Sequence, residues 1–180
     1  MAGNSRTDVV IVDAIRTPSG RGKAGGALAD VHPVDLLSQT LQTLLERSPA
    51  VDPGTVDDVI VGCVSQVGEQ SATPGRMAWL GAGLPPHVPA TTIDRKCGSS
   101  QQAVHFAAQA IASGEADVVV AGGVESMSRV VMGSARMGAD PYGVRVAERF
   151  APGLVSQGVA AELVAARWKL SRTELDELSG

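Results

Sequence analysis

The residues best suited to chemistry lie in the segment 94–113, DRKCGSSQQAVHFAAQAIAS. One cysteine, Cys97, stands between a basic pair, Arg95 and Lys96, and a run of small residues, Gly98, Ser99 and Ser100. An alanine-rich helical pattern follows at once. A thiol at the mouth of a helix is a candidate nucleophile, because the helix dipole, the free N–H groups of the first turn and neighbouring cations all favour thiolate over thiol. A buried structural cysteine is the competing reading, and the local residues leave the two evenly balanced. The second cysteine, Cys63, sits in a β-branched run with no adjacent cation and reads as a small core residue. No metal-type spacing relates the two, so neither a metal site nor a disulfide framework is expected, and reduced thiols in a cytoplasmic setting fit better.

The elements that must position Cys97 can be read on either side of it. Residues 8–12 (DVVIV), 58–64 (DVIVGCV), 90–93 (ATTI) and 117–122 (DVVVAG) are short β-branched runs of the fully buried type. Between them lie helical patterns. Pro33 suits a first helical turn, and Val34, Leu37, Leu41, Leu44 and Leu45 then share one face. Thr73-Pro74-Gly75-Arg76 opens a short helix that carries Met77, Ala78 and Leu80. After Cys97, Ser99 and Gln102 form a capping-box pattern. Val104, Ala107, Ala108 and Ile111 mark that helix's main apolar face, widened by Ala103, Phe106, Ala110 and Ala112. His105 lies about two turns beyond Cys97 and reads as a packing or hydrogen-bonding histidine rather than a base. Gly114 suits the helix end. The alternation βαβαβαβ indicates an α/β sheet with helices on both faces.

From residue 129 to 153 the chain turns rich in Gly, Met, Arg and Pro, with weak periodicity. A domain boundary near Val130 is expected, dividing a core, 1–130, from a second segment, 131–180. Helix resumes over 157–169, and Ser171 with Glu174 predicts a further capping box. Hydrophobic residues make up 44% of the 180 and charged residues 19%, which excludes a disordered chain. With a net charge of −4 and no Lys/Arg block, nucleic acid is not an expected partner. The most apolar stretch, 118–124, is too short to span a bilayer, and the N-terminus has no signal-like apolar run.

These blocks together resemble the N-terminal half of a thiolase, an acetyl-CoA acyltransferase. The matches are Ala14-Ile15-Arg16-Thr17-Pro18, Gly62-Cys63-Val64, and Arg76 with Leu84-Pro85. Most specific are Cys97-Gly98-Ser99-Ser100-Gln101-Gln102-Ala103, Gly122-Gly123 with Glu125, Met127 and Ser128, and Gly158 with Ala161-Glu162. The resemblance covers nearly the whole chain. It implies a thiolase-like N-terminal α/β core lacking its last strand, followed by a truncated loop domain that binds substrate and coenzyme A.

By the same resemblance, Cys97 is the nucleophile that carries the acyl group as a thioester, with its backbone N–H as an oxyanion donor. Coenzyme A and acyl-CoA are then substrates, and no tightly bound cofactor is implied. A free thiol is only a few per cent thiolate at neutral pH, so activation matters. In the family the thiolate pairs with a histidine, a second cysteine exchanges protons, and an asparagine holds an oxyanion water. These lie in Asn-Glu-Ala-Phe, Gly-His-Pro and Cys-x-Gly motifs of the C-terminal half. None of the three motifs occurs here, and His32, His87, His105 and Cys63 do not replace them. One departure flanks the nucleophile: Asp94 stands where thiolases often carry Asn. Its carboxylate opposes thiolate formation unless Arg95 or Lys96 neutralises it.

The implied partners are the C-terminal half or an equivalent subunit, with homo-oligomers (dimer or tetramer) in intact members. Arg136, Arg145 and Arg149 are candidate phosphate contacts beside a plainer reading as solvated arginines. The Gln101-Gln102-Ala103 sequence leans toward the degradative enzymes of fatty-acid or sterol side chains. Two other readings stand beside the enzyme. One is a catalytically incomplete fragment serving as an acyl-CoA or lipid-binding or split-subunit module. The other is a ketoacyl synthase, which the blocks at 122–128 and 157–162 disfavour.

Overall fold

The computed structural model describes residues 8–180. The chain divides into two compact units, one ending at Met137 and the other running from Gly138 to Gly180.

In the first unit, α1 (Pro33–Arg47) begins where His32 caps it, Nδ1 accepting from the Val34 N–H at 3.2 Å, with Pro33 in the first turn. Asp35 near its start and Arg47 near its end complement the helix dipole. Next come β1 (Asp58–Gly62), α2 (Pro74–Gly81), β2 (Ala90–Ile93), α3 (Ser99–Ser113) and β3 (Val119–Gly123). The three strands form one parallel sheet in the order β2-β1-β3, pairing Val59 with Ala90 and with Val120. The alternating pattern leaves the sense of each pair open, and both pairs are parallel, joined through helices.

Successive residues of a strand face opposite sides of the sheet. On β1, Val61 faces α2, where a Cβ on Gly75 would fall 2.6 Å from it. Gly62 faces the first turn of α3. Helices therefore cover both faces of β1. The core on the α1/α2 side joins Leu37, Leu41, Val56, Val59, Val61, Ala78, Trp79, Val88 and Val120. Trp79 is wholly buried, and its indole N–H is satisfied by the Pro85 carbonyl at 2.9 Å. Arg76 donates to the carbonyls of Val88 and Pro86, fixing the turn that feeds β2.

Two expectations fail here. Residues 8–12 are not a strand, and Val10, Ile11 and Val12 are 72–78% exposed. The described sheet is β2-β1-β3, and residues 8–12 pair with none of its strands. Their β-branched composition signals a strand, but a strand needs a neighbour. The sheet therefore starts at β1, and the described order is αβαβαβ. The broad apolar face of α3 is also narrower than expected. Ser99, Ala103 and Ala107 are its buried stripe, Ala108 and Ile111 are half-buried, and Val104 and Phe106 are about 40% exposed.

The second unit holds α4 (Gly143–Arg149), α5 (Gln157–Trp168) and α6 (Arg172–Ser179). Ser156 caps α5, and Ser171 with Glu174 forms the expected capping box at α6. No residue of these three helices is buried. Among the described residues no helix is long and apolar enough to cross a membrane.

Candidate active site

The loops leaving the C-terminal ends of the three strands gather the candidate residues, the position at which open α/β sheets bind ligands. Cys97 lies on the loop from β2 to α3 and is exposed. It immediately precedes Gly98, which caps α3, so the thiol stands at the positive end of that helix.

The hydrogen bonds that shape the loop are local to it. Lys96 occupies the left-handed region, with φ +49, a conformation that costs an L residue about 1 kcal/mol or more. The Asp94 carboxylate holds it there by accepting from the Lys96 N–H at 2.7 Å. The same carboxylate pairs with the Lys96 ammonium. Hydrogen bonding to that ammonium keeps Asp94 below the usual carboxylate range. The departure at position 94 thus brings its own counter-ion: Lys96 offsets the added negative charge beside Cys97.

Ser99 does not cap α3, contrary to expectation, because the helix starts at Ser99 itself, one residue earlier than that cap requires. Its buried hydroxyl instead turns back, accepting from the Arg95 N–H at 2.8 Å and donating to the Lys96 carbonyl at 2.6 Å. Gly98 N–H to Arg95 O and Ser99 N–H to Lys96 O close the turn.

Beside this loop, Glu125 joins the ends of β1 and β3. Its carboxylate accepts from Val64 N–H at 2.7 Å, Ser65 N–H at 3.2 Å and the Gln70 side chain at 3.1 Å. Gln70, fully buried, also donates to Ser65 O and accepts from Ser126 N–H at 2.8 Å. Sequence reading named Glu125 only as part of a motif and missed Gln70. A lone glutamine in a polar link carries no local sign that it will be buried.

Cys63 is buried, as expected of a core residue, and burial together with the Glu125 and Asp94 charges pushes its thiol up to about 12. It is a protonated bystander at neutral pH. The histidines lie apart in role: His32 caps α1, His87 contacts the Gly54 carbonyl at 3.0 Å, and His105 is exposed on α3 rather than packed. Arg136 lies in the short turn Ser134–Arg136, while Arg145 and Arg149 sit four residues apart on α4, the latter over the Phe150 ring. Among the described residues no three His, Cys, Asp or Glu side chains gather to hold a metal ion. A cleft of about 430 Å³ runs between residues 15–22, α1 and the outer edge of β3, and Cys97 does not line it.

A family model, the thiolase N-terminal domain, matches residues 9–179. The chain is 44% identical to a steroid 3-ketoacyl-CoA thiolase, FadA6, of Mycobacterium tuberculosis, over 99% of this chain and 46% of that protein. It is 43% identical to a 3-oxoadipyl-CoA/3-oxo-5,6-dehydrosuberyl-CoA thiolase of Escherichia coli, over 96% and 46%. A 3-ketoacyl-CoA thiolase of Pseudoalteromonas translucida is 43% identical over 94% of this chain and 42% of its own length. The chain therefore spans about half the length of these relatives.

Proposed function

This chain belongs to the thiolase family, and from that membership we propose that it is the nucleophile-bearing half of a 3-ketoacyl-CoA thiolase working in the degradative direction. The observation that supports this most is the exposed Cys97 at the start of α3, within a thiolase match that runs almost end to end.

In the proposed reaction, the Cys97 thiolate attacks the C3 carbonyl of a 3-ketoacyl-CoA. The S–C3 bond forms and the C2–C3 bond breaks, leaving the acyl group on Cys97. The departing C2 carbanion takes a proton and leaves as acetyl-CoA. A CoA thiol, giving up its proton to a base, then attacks the acyl thioester and releases acyl-CoA and the Cys97 thiolate. The thiol stands at the positive end of α3, and the Cys97 N–H serves as one oxyanion donor. The proton-handling groups do not occur among these 180 residues, and we assign them to a C-terminal half. Coenzyme A and its acyl esters are substrates rather than resident cofactors. The unit from Gly138 onward is proposed as the beginning of the loop domain that shapes the acyl site.

A second reading is a module that accepts an acyl group without turnover, since the family's Asn-Glu-Ala-Phe, Gly-His-Pro and Cys-x-Gly motifs do not occur among these 180 residues. One experiment separates the two. CoA-dependent loss of a 3-ketoacyl-CoA is followed with the chain alone and with a thiolase C-terminal half added. Turnover that depends on Cys97 under either condition supports the enzyme. Acyl transfer to Cys97 with no turnover under both supports the module.

A further inference from the structure

Gly62 and Gly123 are register partners at the ends of β1 and β3. Neither has a positive φ, so conformational freedom does not account for glycine at either place. Contact does. A Cβ on Gly62 would lie 2.5 Å from the Ser99 carbonyl carbon and the Ser100 nitrogen, and 2.7 Å from Ser99 Cβ. A Cβ on Gly123 would lie 2.8 Å from Ser100 Cβ. Real side chains essentially never approach that closely. The intervening Gly122 faces the other side of the sheet, where an added Cβ meets nothing.

We propose that Gly62 and Gly123 form a side-chain-free seat on the sheet into which the first turn of α3 settles, and that this seat positions Cys97 for acyl transfer. The inference rests on Cys97 being the acyl-accepting nucleophile. Gly62 and Gly123 meet Ser99 and Ser100, and Ser99 grips the loop on both sides of Lys96 through its hydroxyl. Raising the first turn by the width of a methyl group therefore moves the loop that carries Cys97. Acyl transfer requires the sulfur within about 3–3.5 Å of the carbonyl along a defined direction, and an error near 1 Å costs on the order of a hundredfold. Alkylation by a small free reagent has no such demand. Gly62, Gly123 and Ser99 are thus positioning residues.

The test compares two rates at Cys97 in the full 180-residue chain: acetylation by acetyl-CoA and carbamidomethylation by iodoacetamide. Buried Cys63 serves as an internal monitor, since it becomes alkylated only when the fold opens. In Gly123→Ala, acetylation is expected to fall at least about tenfold while iodoacetamide labelling of Cys97 stays within about twofold and Cys63 stays protected. Adding Ser100→Gly removes the nearest atom that the new methyl group meets, leaving the Gly62 carbonyl oxygen at 3.0 Å, and should restore acetylation in part. Gly122→Ala should match the wild type. If Gly123→Ala exposes Cys63, the decision passes to Ser99→Ala, which adds no volume. There, acetylation must fall with Cys63 protected. A folded Gly123→Ala, or failing that a folded Ser99→Ala, that acetylates within about twofold of wild type overturns the seat. A wild-type chain whose Cys97 is not acetylated removes the acyl-transfer reading, and the seat with it.

Discussion

At the residue scale, the two cysteines are separated by their surroundings rather than by their chemistry. Burial and the Glu125 and Asp94 charges push the Cys63 thiol up to about 12, whereas Cys97 is exposed at a helix start. Iodoacetamide at pH 8 is expected to modify Cys97 and leave Cys63 intact until denaturant is added, as read by peptide mass. Equal labelling of both in the native chain would contradict the burial of Cys63. The Asp94–Lys96 pair makes a second prediction. Asp94→Asn keeps an acceptor for the Lys96 N–H but removes a negative charge near the thiol. Lys96→Met does the reverse and leaves the carboxylate uncompensated. Acetylation of Cys97 at one fixed pH should therefore be faster in the first variant and slower in the second. A change in the same direction would show that the pair does not act through charge. The thiol at a helix start was legible in the sequence because a cysteine, two cations and small residues are consecutive. The role of Ser99 was not, because Ser-x-x-Gln fits a helix cap and says nothing of a hydroxyl that turns backward.

At the element scale, the parallel strands β1, β2 and β3 and the helices α1 and α2 lie close to where periodicity and turn residues place them. Two features escaped for physical reasons. Residues 8–12 have strand composition, but composition does not reveal whether a run pairs with a neighbouring strand. Val104 scored as core on α3, yet the stripe that meets the sheet is the smaller one, Ser99, Ala103 and Ala107. Close approach of α3 to the paired glycines selects small residues over large ones, and hydrophobicity alone misses that. The Glu125–Gln70 network that ties β1 to β3 gives the element-scale prediction. Gln70→Ala strands the Ser126 N–H and removes a donor to Glu125. A loss of about 2–4 kcal/mol is expected from a buried network broken in this way. The urea midpoint should fall accordingly without a change of slope. An unchanged midpoint would mean that water replaces the side chain.

At the scale of the whole molecule, several carboxylates set the acid limit. Asp57 accepts from the Val118 and Asp117 N–H groups, Glu69 holds Arg129, and Asp94 holds Lys96, and each is kept below its ordinary range by those bonds. A depressed folded value contributes stability that is complete above the unfolded value, near pH 4, and is lost as pH falls through the folded one. Urea midpoints should thus hold near neutrality and drop below about pH 4, with a shallower drop in Asp57→Asn. Val104 and Phe106 leave part of α3 wet. At about 25 cal/mol per Å², covering a few hundred Å² there adds several kcal/mol, comparable with a domain's total stability. The chain alone is therefore expected to associate or to melt readily. A monomer with a cooperative high-temperature melt would contradict this. The acyl chain that the proposed thiolase would prefer was not legible, because no residue singled out in the sequence is placed against an acyl group. The most direct measurement is the intact mass of the chain after incubation with acetyl-CoA, followed by peptide mapping. One acetyl group on the Cys97 peptide, lost on adding hydroxylamine and absent in Cys97→Ser, is the expected result. An unmodified chain, or an acetyl group that persists in Cys97→Ser, would contradict the assignment of Cys97 as the nucleophile.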